Sequence, residues 1–417
     1  MESKIILKEV IELADPYKAV LNYIDKIEIE GDLFVVGFGK AACPMAKAIE
    51  DMMLDKIEEG IVVTKYGYSF PLKKIKVFEA GHPVPDENSV KASLKILEVA
   101  RKVKDEDTLL VLISGGGSSL FALPEDGITL EDKIKTYKLL LSCGANIHEI
   151  NTVRKHISKV KGGKFVKNIK GKVIALIISD VVGDNLDVIA SGPTVKDPTT
   201  FKDAYKILEK YNLLDEVPSS VKEHIELGMK GLREETLKDD PPNVHNYIIL
   251  SNRIVCERLA EFCRGFGYDV HIITTTLEGE AREVAIVFGS MIQEICRYNR
   301  PFKKPCILIA GGEMTVTLDK AGKGGPNHEF ALSIVKKIAG LNVTVISFDS
   351  DGIDGNTDSA GAIVNGDTFD ILKAKGIDMD EYLKNHNSYE AIKIANSLIH
   401  MGPTRTNVNS FVIIICN

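Results

Sequence analysis

The chain has no apolar run of the ~18–20 residues needed to cross a bilayer as a helix, which excludes a helical membrane protein. Its first stretch, MESKIILKEVIELADPYKAVL, reads as an amphipathic helix. That stretch lacks the apolar centre and small-residue cleavage site of a secretory leader, and a cytoplasmic location is expected. Paired cysteines are also missing. The seven present (Cys43, Cys143, Cys256, Cys263, Cys296, Cys306 and Cys416) are scattered, and none forms a C-x-x-C pair. They read as reduced, mostly buried small apolar residues, not as a disulfide or zinc framework. Excess positive charge is absent too. A formal net charge of −7 gives no general attraction for nucleic acid or an anionic membrane, and leaves only local basic clusters to hold a small anion. No repeat or low-complexity tract interrupts the chain. What is present is ordinary globular material: 44% hydrophobic and 27% charged residues over 417 positions, enough for two or three domains of ~100–200 residues.

Short β-branched runs alternate with helical patterns, the signature of mostly parallel sheets covered by helices. In the first half, strands are predicted over Leu33–Phe38, Ile61–Thr64, Lys74–Ala80, Thr108–Ser114 and Lys172–Ser179. A helix is predicted from about Val90 to Val103. Helical patterns then run from Leu130 to about Lys167, broken near Ser142–Ala145 and Gly162–Gly163. The polar stretch KGLREETLKDDPPN, Lys230 to Asn243, is the best linker candidate. The rhythm then resumes with strands in NYIIL, DVHIITT, CILIAGG, MTVTL, NVTVISFD and SFVIIIC. The expected architecture is α/β: two α/β/α three-layer domains with mostly parallel or mixed sheets, one over residues 1–235 and one over 244–417. A ligand-binding active-site cleft is expected between them.

Five groups of strand-end segments combine glycine, small polar residues and charge. In Gly37-Phe38-Gly39-Lys40, two glycines allow close backbone approach and a lysine stands where a helix begins. This has the logic of a phosphate site but is not a P-loop, and a tight turn with a solvated lysine fits equally. Ser114-Gly115-Gly116-Gly117-Ser118-Ser119 follows a strong strand. Three glycines cost conformational entropy there but let successive backbone N–H groups converge on an anion, and the hydroxyls add donors. In Asn151-Thr152-Val153-Arg154-Lys155-His156-Ile157-Ser158-Lys159, Lys155 and Lys159 are helix neighbours. That run is either a solvated basic face or an anion site, with Arg154 able to clamp a carboxylate or phosphate by two bonds. In Ser179-Asp180-Val181-Val182-Gly183-Asp184, with the Ser191-Gly192-Pro193-Thr194 turn close after it, the acidic residues at the end of an apolar strand suit a Mg²⁺ shell or a proton acceptor, although an Asp in a turn is also a common cap. In the second half stand Gly311-Gly312-Glu313, the Gly322–Glu329 segment with Asn327, Ser350-Asp351 through Asp358, and Thr404-Arg405-Thr406-Asn407. Each could also be a plain polar turn.

Together the stretches GFGKAACPMA, GHPVPDENS, LISGGGSSLF, INTVRKHIS, SDVVGD, SGPT, AGGE, GKGGPNHEFAL, SDGIDGNTDSAGA and PTRTNVNSF resemble the class II glycerate kinases, the MOFRL-type family in which some members carry the label hydroxypyruvate reductase. They extend from residue 37 to about residue 411, in the family's order. The resemblance implies ATP-dependent phosphorylation of D-glycerate to 2-phosphoglycerate, with ATP and Mg²⁺ (or another divalent ion) required. Lys40 matches the family's proposed catalytic lysine. Where many bacterial members read G-G-R-N-Q-E, this chain has Gly324-Gly325-Pro326-Asn327-His328-Glu329. The family's arginine is therefore Pro326 here, and its proposed charge-stabilising role must be absent or taken by another residue, such as Arg154 or Arg405.

Phosphoryl transfer rests mostly on positioning and charge stabilisation. On that basis the Ser114–Ser119 loop and the Ser191–Thr194 turn are expected to hold nucleotide phosphates, and Lys40 to stabilise the transferring group. Asp180 or Asp184 would bind Mg²⁺ or accept the hydroxyl proton. Arg154 would bind the glycerate carboxylate, helped by Glu313, Asn327, Asp351 and Arg405. The expected partners are D-glycerate and ATP, with no nucleic acid and no membrane, and a homodimer is compatible with all of this. Two rival readings stay open: a hydroxypyruvate reductase using NAD(P)H, and a non-catalytic glycerate or nucleotide binder. Against the first, Gly37-Phe38-Gly39 has Ala42 at the third glycine position. Thr64 and Lys65 also stand where a ribose-binding acid belongs.

Overall fold

The computed structural model describes residues 2–320, 322–402 and 404–417. Pro403, the first residue of PTRTNVNSF, lies outside them. The chain divides into two compact units, one of residues 16–249 and one of residues 2–15 with 250–417.

The first unit is built on a six-stranded sheet of β1 (Leu33–Phe38), β2 (Ile57–Lys65), β3 (Ile75–Ala80), β4 (Thr108–Ile113), β5 (Lys172–Ile178) and β6 (Val244–Leu250), in the order β3-β2-β1-β4-β5-β6. The first five pair in parallel. Every residue of β1 and β4 is buried, as a parallel sheet covered on both faces requires. Phe34, Val36 and Val111 pack with Ile96 and Val99 of helix Glu87–Ala100 on one face. Helix Ala42–Met53 lies against β1, β2 and β4 and buries Met45, Ala46 and Ile49. Sequence order runs outward from β1 to β3, then returns to β4 beside β1. The carboxyl ends of β1 and β4 thus flank the point where winding reverses, where sheets of this kind bind ligands.

A helical group sits within the same unit. Helices Leu130–Ser142, Ile147–His156, Phe201–Lys210 and Ser219–Met229 share a core of Leu140, Ile150, Val153, Phe201, Leu208 and Ile225. The first two start from capping boxes, Thr129 with Asp132 and Asn146 with Glu149. Each box satisfies two otherwise orphaned N–H groups and fixes where its helix begins. The break between these helices falls at the predicted place. The predicted helical run to Lys167 instead ends at His156, where the chain turns extended and pairs with the 123–125 segment through the Pro124–Ser158 bridge, and Gly162 and Gly163 then take positive φ.

The second unit carries β7 (Asp269–Leu277), β8 (Cys306–Gly312), β9 (Val343–Asp349), β10 (Gly361–Asn365), β11 (Leu398–Ile399) and β12 (Ser410–Cys416), ordered β11-β10-β9-β12-β8-β7. This sheet is mixed. β7 and β8 are parallel, and β12 runs antiparallel between β8 and β9. The expected MTVTL strand is reduced to a single bridge between Thr315 and Glu280.

Two boundaries differ from the sequence reading. The first helical stretch is two helices, Glu2–Leu13 and Pro16–Ile24, because a proline is tolerated at a helix start and restricts the residue before it. The former packs on helix Asn252–Arg264, with Tyr268 Oη donating to Glu2 Oε2 at 2.7 Å, so residues 2–15 belong with the second half and not with the first 235. The Lys230–Asn243 stretch is irregular, yet Leu237 N–H bonds to the Gly162 carbonyl at 2.9 Å and Glu235 holds His156 at 2.8 Å. The division falls after it, at β6. No described helix is long and apolar enough to cross a membrane.

Candidate active site

Parallel pairing in register places three predicted segments at one end of the first sheet. Phe38 pairs with Ile113, and Ile113 with Ile177, so Gly39-Lys40, the Ser114–Ser119 loop and Ser179-Asp180 emerge side by side. The first two are laced together. Lys40 N–H donates to the Gly115 carbonyl at 2.8 Å, and Ala41 N–H to Ser114 Oγ at 3.0 Å. Gly39 has φ +133, and a Cβ there would stand 2.1 Å from Ser114 Oγ, so only glycine allows this approach. Ser114 is 2% exposed, and its hydroxyl oxygen serves this junction.

The glycine loop turns at Gly116, φ +83, into the short helix Gly117–Leu120. The Gly117 and Ser119 N–H groups fold back onto the Ser114 and Gly116 carbonyls, both at 3.2 Å, while those of Gly115 and Gly116 have no acceptor among the described residues. Underneath, Phe38 and Phe121 stack with centroids 4.3 Å apart, and Phe165 meets Phe121 edge-on at 5.1 Å. Such aromatic pairs contribute ~0.5–1.5 kcal/mol each beyond their buried area and hold the loop's floor.

Asp180 lies against Gly115. A Cβ on that glycine would come within 2.3 Å of Asp180 Oδ2. Burial raises the Asp180 carboxyl above the ordinary aspartate range, and the Lys40 ammonium opposes the rise. On the other side, Gly116 faces His82 and the Lys40 side chain. His82 is pushed down to about 4 by burial and by the charges of Lys40 and Lys65, so its imidazole is neutral at pH 7. His82 was not among the expected site residues. Its signal was the GHPVPDENS stretch, where it opens a turn after β3.

Beside this junction, within the first unit, is a pocket of about 140 Å³. Two helix faces at three- and four-residue spacing build it: Lys133, Thr136, Tyr137 and Leu140 from one, and Ile150, Val153, Arg154 and Ile157 from the other. His82, Gly116, Ser118 and Ser119 complete its wall. Arg154 is half-buried over the Tyr137 ring, 4.4 Å from the centroid, and donates to Asn151 Oδ1 at 3.3 Å. A hydrogen-bond chain continues from Asn151 to Ser191 (3.0 Å) and Ser118 (2.9 Å). Three segments far apart in sequence thereby meet.

Other candidates sit elsewhere. Gly192, Pro193 and Thr194 are buried, with Gly192 bonded to Gly163 and Thr194 to Asn246 at 2.6 Å. Lys155, 2% exposed, is paired with Asp187 (3.2 Å) and Asp197 (3.3 Å), and is structural. Asp184 is half-buried in a turn at φ +58. In the second unit, Ser410 pairs with both Gly312 and Asp349, which brings the Glu313, Asp349–Asp354 and Thr404–Asn409 segments to one sheet end. Glu313 and Arg405 are exposed there and Asp351 is half-buried. Asn327 is different: buried at 1% exposure, it bonds Asp354, Ser347 and Ser410 through both amide atoms. Pro326 occupies the first turn of helix Pro326–Ile338, where a missing N–H costs nothing. Asp349, between Asp351 and Asp354, is raised to about 8 by burial and by those carboxylates.

A glycine loop at the winding reversal, with a lysine, a desolvated carboxylate and a cationic pocket, defines an α/β enzyme of the anion-handling, phosphoryl-transfer kind. The family described as "Domain of unknown function (DUF4147)" matches residues 2–226, and the MOFRL family matches residues 306–410. A "Glycerate 2-kinase" of Pyrococcus horikoshii is 56% identical over 98% of this chain and 96% of its own. A "D-glycerate 2-kinase" of Thermotoga maritima is 45% identical over 98% and 96%. The crystal structure of a glycerate kinase from Thermotoga maritima superposes with a TM-score of 0.93 at 44% identity, covering 99% of this chain and 98% of that one. The chain belongs to the class II glycerate kinase family.

Proposed function

We propose that the protein is a cytoplasmic ATP-dependent D-glycerate 2-kinase, acting on D-glycerate and ATP and yielding 2-phosphoglycerate and ADP. The observation that carries the reading is the meeting of Lys40, Gly115, Gly116 and Asp180 at the winding reversal, beside a pocket holding Arg154. The free N–H groups of the glycine loop receive phosphate oxygens. The 2-hydroxyl oxygen of glycerate attacks the γ-phosphorus as the bond to the β-phosphate oxygen breaks. Asp180, made more basic by burial, takes the hydroxyl proton. Lys40 stabilises charge on the equatorial oxygens. Arg154 holds the substrate carboxylate. Asn327 supports its loop from inside.

Mg²⁺ fits this donor set. Among the described residues no three His, Cys, Asp or Glu side chains converge to hold an ion alone. Mg²⁺ commonly takes one or two carboxylates and completes its shell with substrate phosphates and water, and Asp180 and Asp184 are the oxygens available at this strand end. When bound it would neutralise charge on the nucleotide phosphates.

For the reductase alternative, the end of β2 still offers no ribose-binding acid. Thr64 is fully buried and donates to the Lys40 carbonyl at 3.3 Å. Incubation with D-glycerate, ATP and Mg²⁺, followed by phosphorus NMR, is expected to show 2-phosphoglycerate. Oxidation of NADH or NADPH by hydroxypyruvate, with no phosphorylated product from glycerate, would establish the reductase. Binding without turnover of either substrate pair would establish a sensor.

A further inference from the structure

Lysine 133 is out of place by the ordinary rules of burial. It occupies a core-facing position of helix Leu130–Ser142, in line with Thr136, Tyr137 and Leu140, and is only 5% exposed. An ammonium carries three donors. Among the described residues Lys133 Nζ makes one hydrogen bond, a long one of 3.4 Å to the Ile157 carbonyl, and no ion pair. It lines the pocket together with Arg154, and two cations are thus directed into one small space with no carboxylate between them. Burying charge without a partner is costly, and like charges side by side add to the cost. The neighbouring buried Lys161 differs, since its Nζ is satisfied by the Phe121 and Ala190 carbonyls at 3.2 and 3.3 Å.

We infer that Lys133 and Arg154 form a two-cation clamp for the carboxylate of a short 2-hydroxy acid, with Lys133 a substrate-binding residue. This rests on the kinase reading above. One side of the pocket is apolar (Ile134, Leu140, Ile150 and Val153) and the side toward the glycine loop carries the Ser118 and Ser119 hydroxyls, and with a volume of about 140 Å³ it suits a short hydroxylated chain bearing a single carboxylate. A longer diacid would exceed that volume or place its second charge against the apolar side.

The charged groups around Lys133 set its response to pH. Burial is the largest effect, Arg154 and Lys164 lower its affinity for a proton, and Glu125 raises it, bringing Lys133 to about 7. Lys161 lies in the same field, and His82 faces the pocket as a neutral ring. A bound carboxylate favours the protonated lysine. Affinity for glycerate is therefore highest where Lys133 is protonated and falls as pH rises above about 7.

The test uses the full chain, wild type and Lys133→Met, which keeps length and removes charge. Calorimetric titration with D-glycerate in the absence of nucleotide is expected to show about ten- to a hundredfold weaker binding in the variant. Wild-type affinity should fall between pH 6 and pH 9, and the variant's profile should be flat. The KM for ATP should stay within about twofold, and Lys133→Arg should restore part of the affinity. Thermal melting should not fall in Lys133→Met, because removing an unpaired buried charge relieves a cost. Equal glycerate affinity in wild type and variant, or a variant that keeps the wild-type pH profile, overturns the clamp. Wild type that binds D-glycerate through Lys133 yet never phosphorylates it overturns the kinase reading and leaves the clamp standing. Wild type that does not bind D-glycerate overturns both.

Discussion

The contact between Gly115 and Asp180 allows a clean perturbation of the proposed base. Gly115 has no positive φ, so an alanine there meets no backbone penalty and its whole effect is steric. The added Cβ would lie 2.3 Å from Asp180 Oδ2, 2.8 Å from its Cγ and 3.3 Å from its Cβ. Ordinary non-bonded contact begins at roughly 3.5 Å, so the carboxylate must move by about 1 Å. A displacement of that size in a reacting group costs on the order of 10²-fold in rate. Gly115→Ala should therefore lower kcat about a hundredfold while the KM values for ATP and D-glycerate change little. Asp180 is half-buried at a strand end and outside the hydrophobic core, so melting should shift only modestly. The decisive assay is a double-mutant cycle with Asp180→Asn. If the glycine acts through the carboxylate, Gly115→Ala adds almost nothing once Asp180 is already neutralised. Independent, multiplicative losses would refute the reasoning and mean that the added Cβ acts by crowding the phosphates held by the loop, not by displacing Asp180.

Three further outcomes are expected. Lys40→Ala should lower kcat ~10²–10³-fold with an unchanged melting temperature, since the loop bonds at this residue come from its backbone; near wild-type kcat in the purified variant would remove it from the chemistry. Arg154→Lys keeps charge but loses the planar fork and the stacking on Tyr137, so the KM for glycerate should rise about tenfold or more while that for ATP stays within about twofold; equal rises would make Arg154 a phosphate or structural residue. Asp349 has a folded-state affinity for protons raised to about 8, so its favourable contribution is complete below the ordinary aspartate range near 3.8 and is lost as pH rises through about 8. Asp349→Asn should accordingly raise the melting temperature relative to wild type at pH 9, with the difference shrinking toward pH 4, and a pH-independent difference would count against this account.

Much of this architecture can be read from local pattern. β1, β4 and β5 announce themselves because buried parallel strands are near-continuous apolar runs, and Leu33–Phe38 falls where the pattern puts it. Gly39, Lys40, Ser114–Ser119 and Asp180 are visible as strand-end residues, since strand ends are where such folds place ligands. MTVTL alternates like a strand, but whether an alternating segment pairs depends on an available sheet edge, and here it finds one bridge. Lys133 carries a sequence signal of its own, a lysine standing in the apolar stripe of its helix.

Residue type and spacing thus settle which segments become strands, which loops carry glycine and charge, and the family they belong to. They do not settle which of several similar polar residues face a ligand. Ser114, Thr194 and Asn327 look as available in the sequence as Ser118 or Arg154. Folding commits the first three to Ala41, Asn246 and Asp354, and leaves the others lining a pocket. The same applies to residues 2–15, helical on local grounds, whose partner is a helix some 250 positions away. The physical reason is shared. A hydrogen bond, a pocket wall or a buried charge is a relation between residues distant in sequence, and local pattern fixes only one side of each.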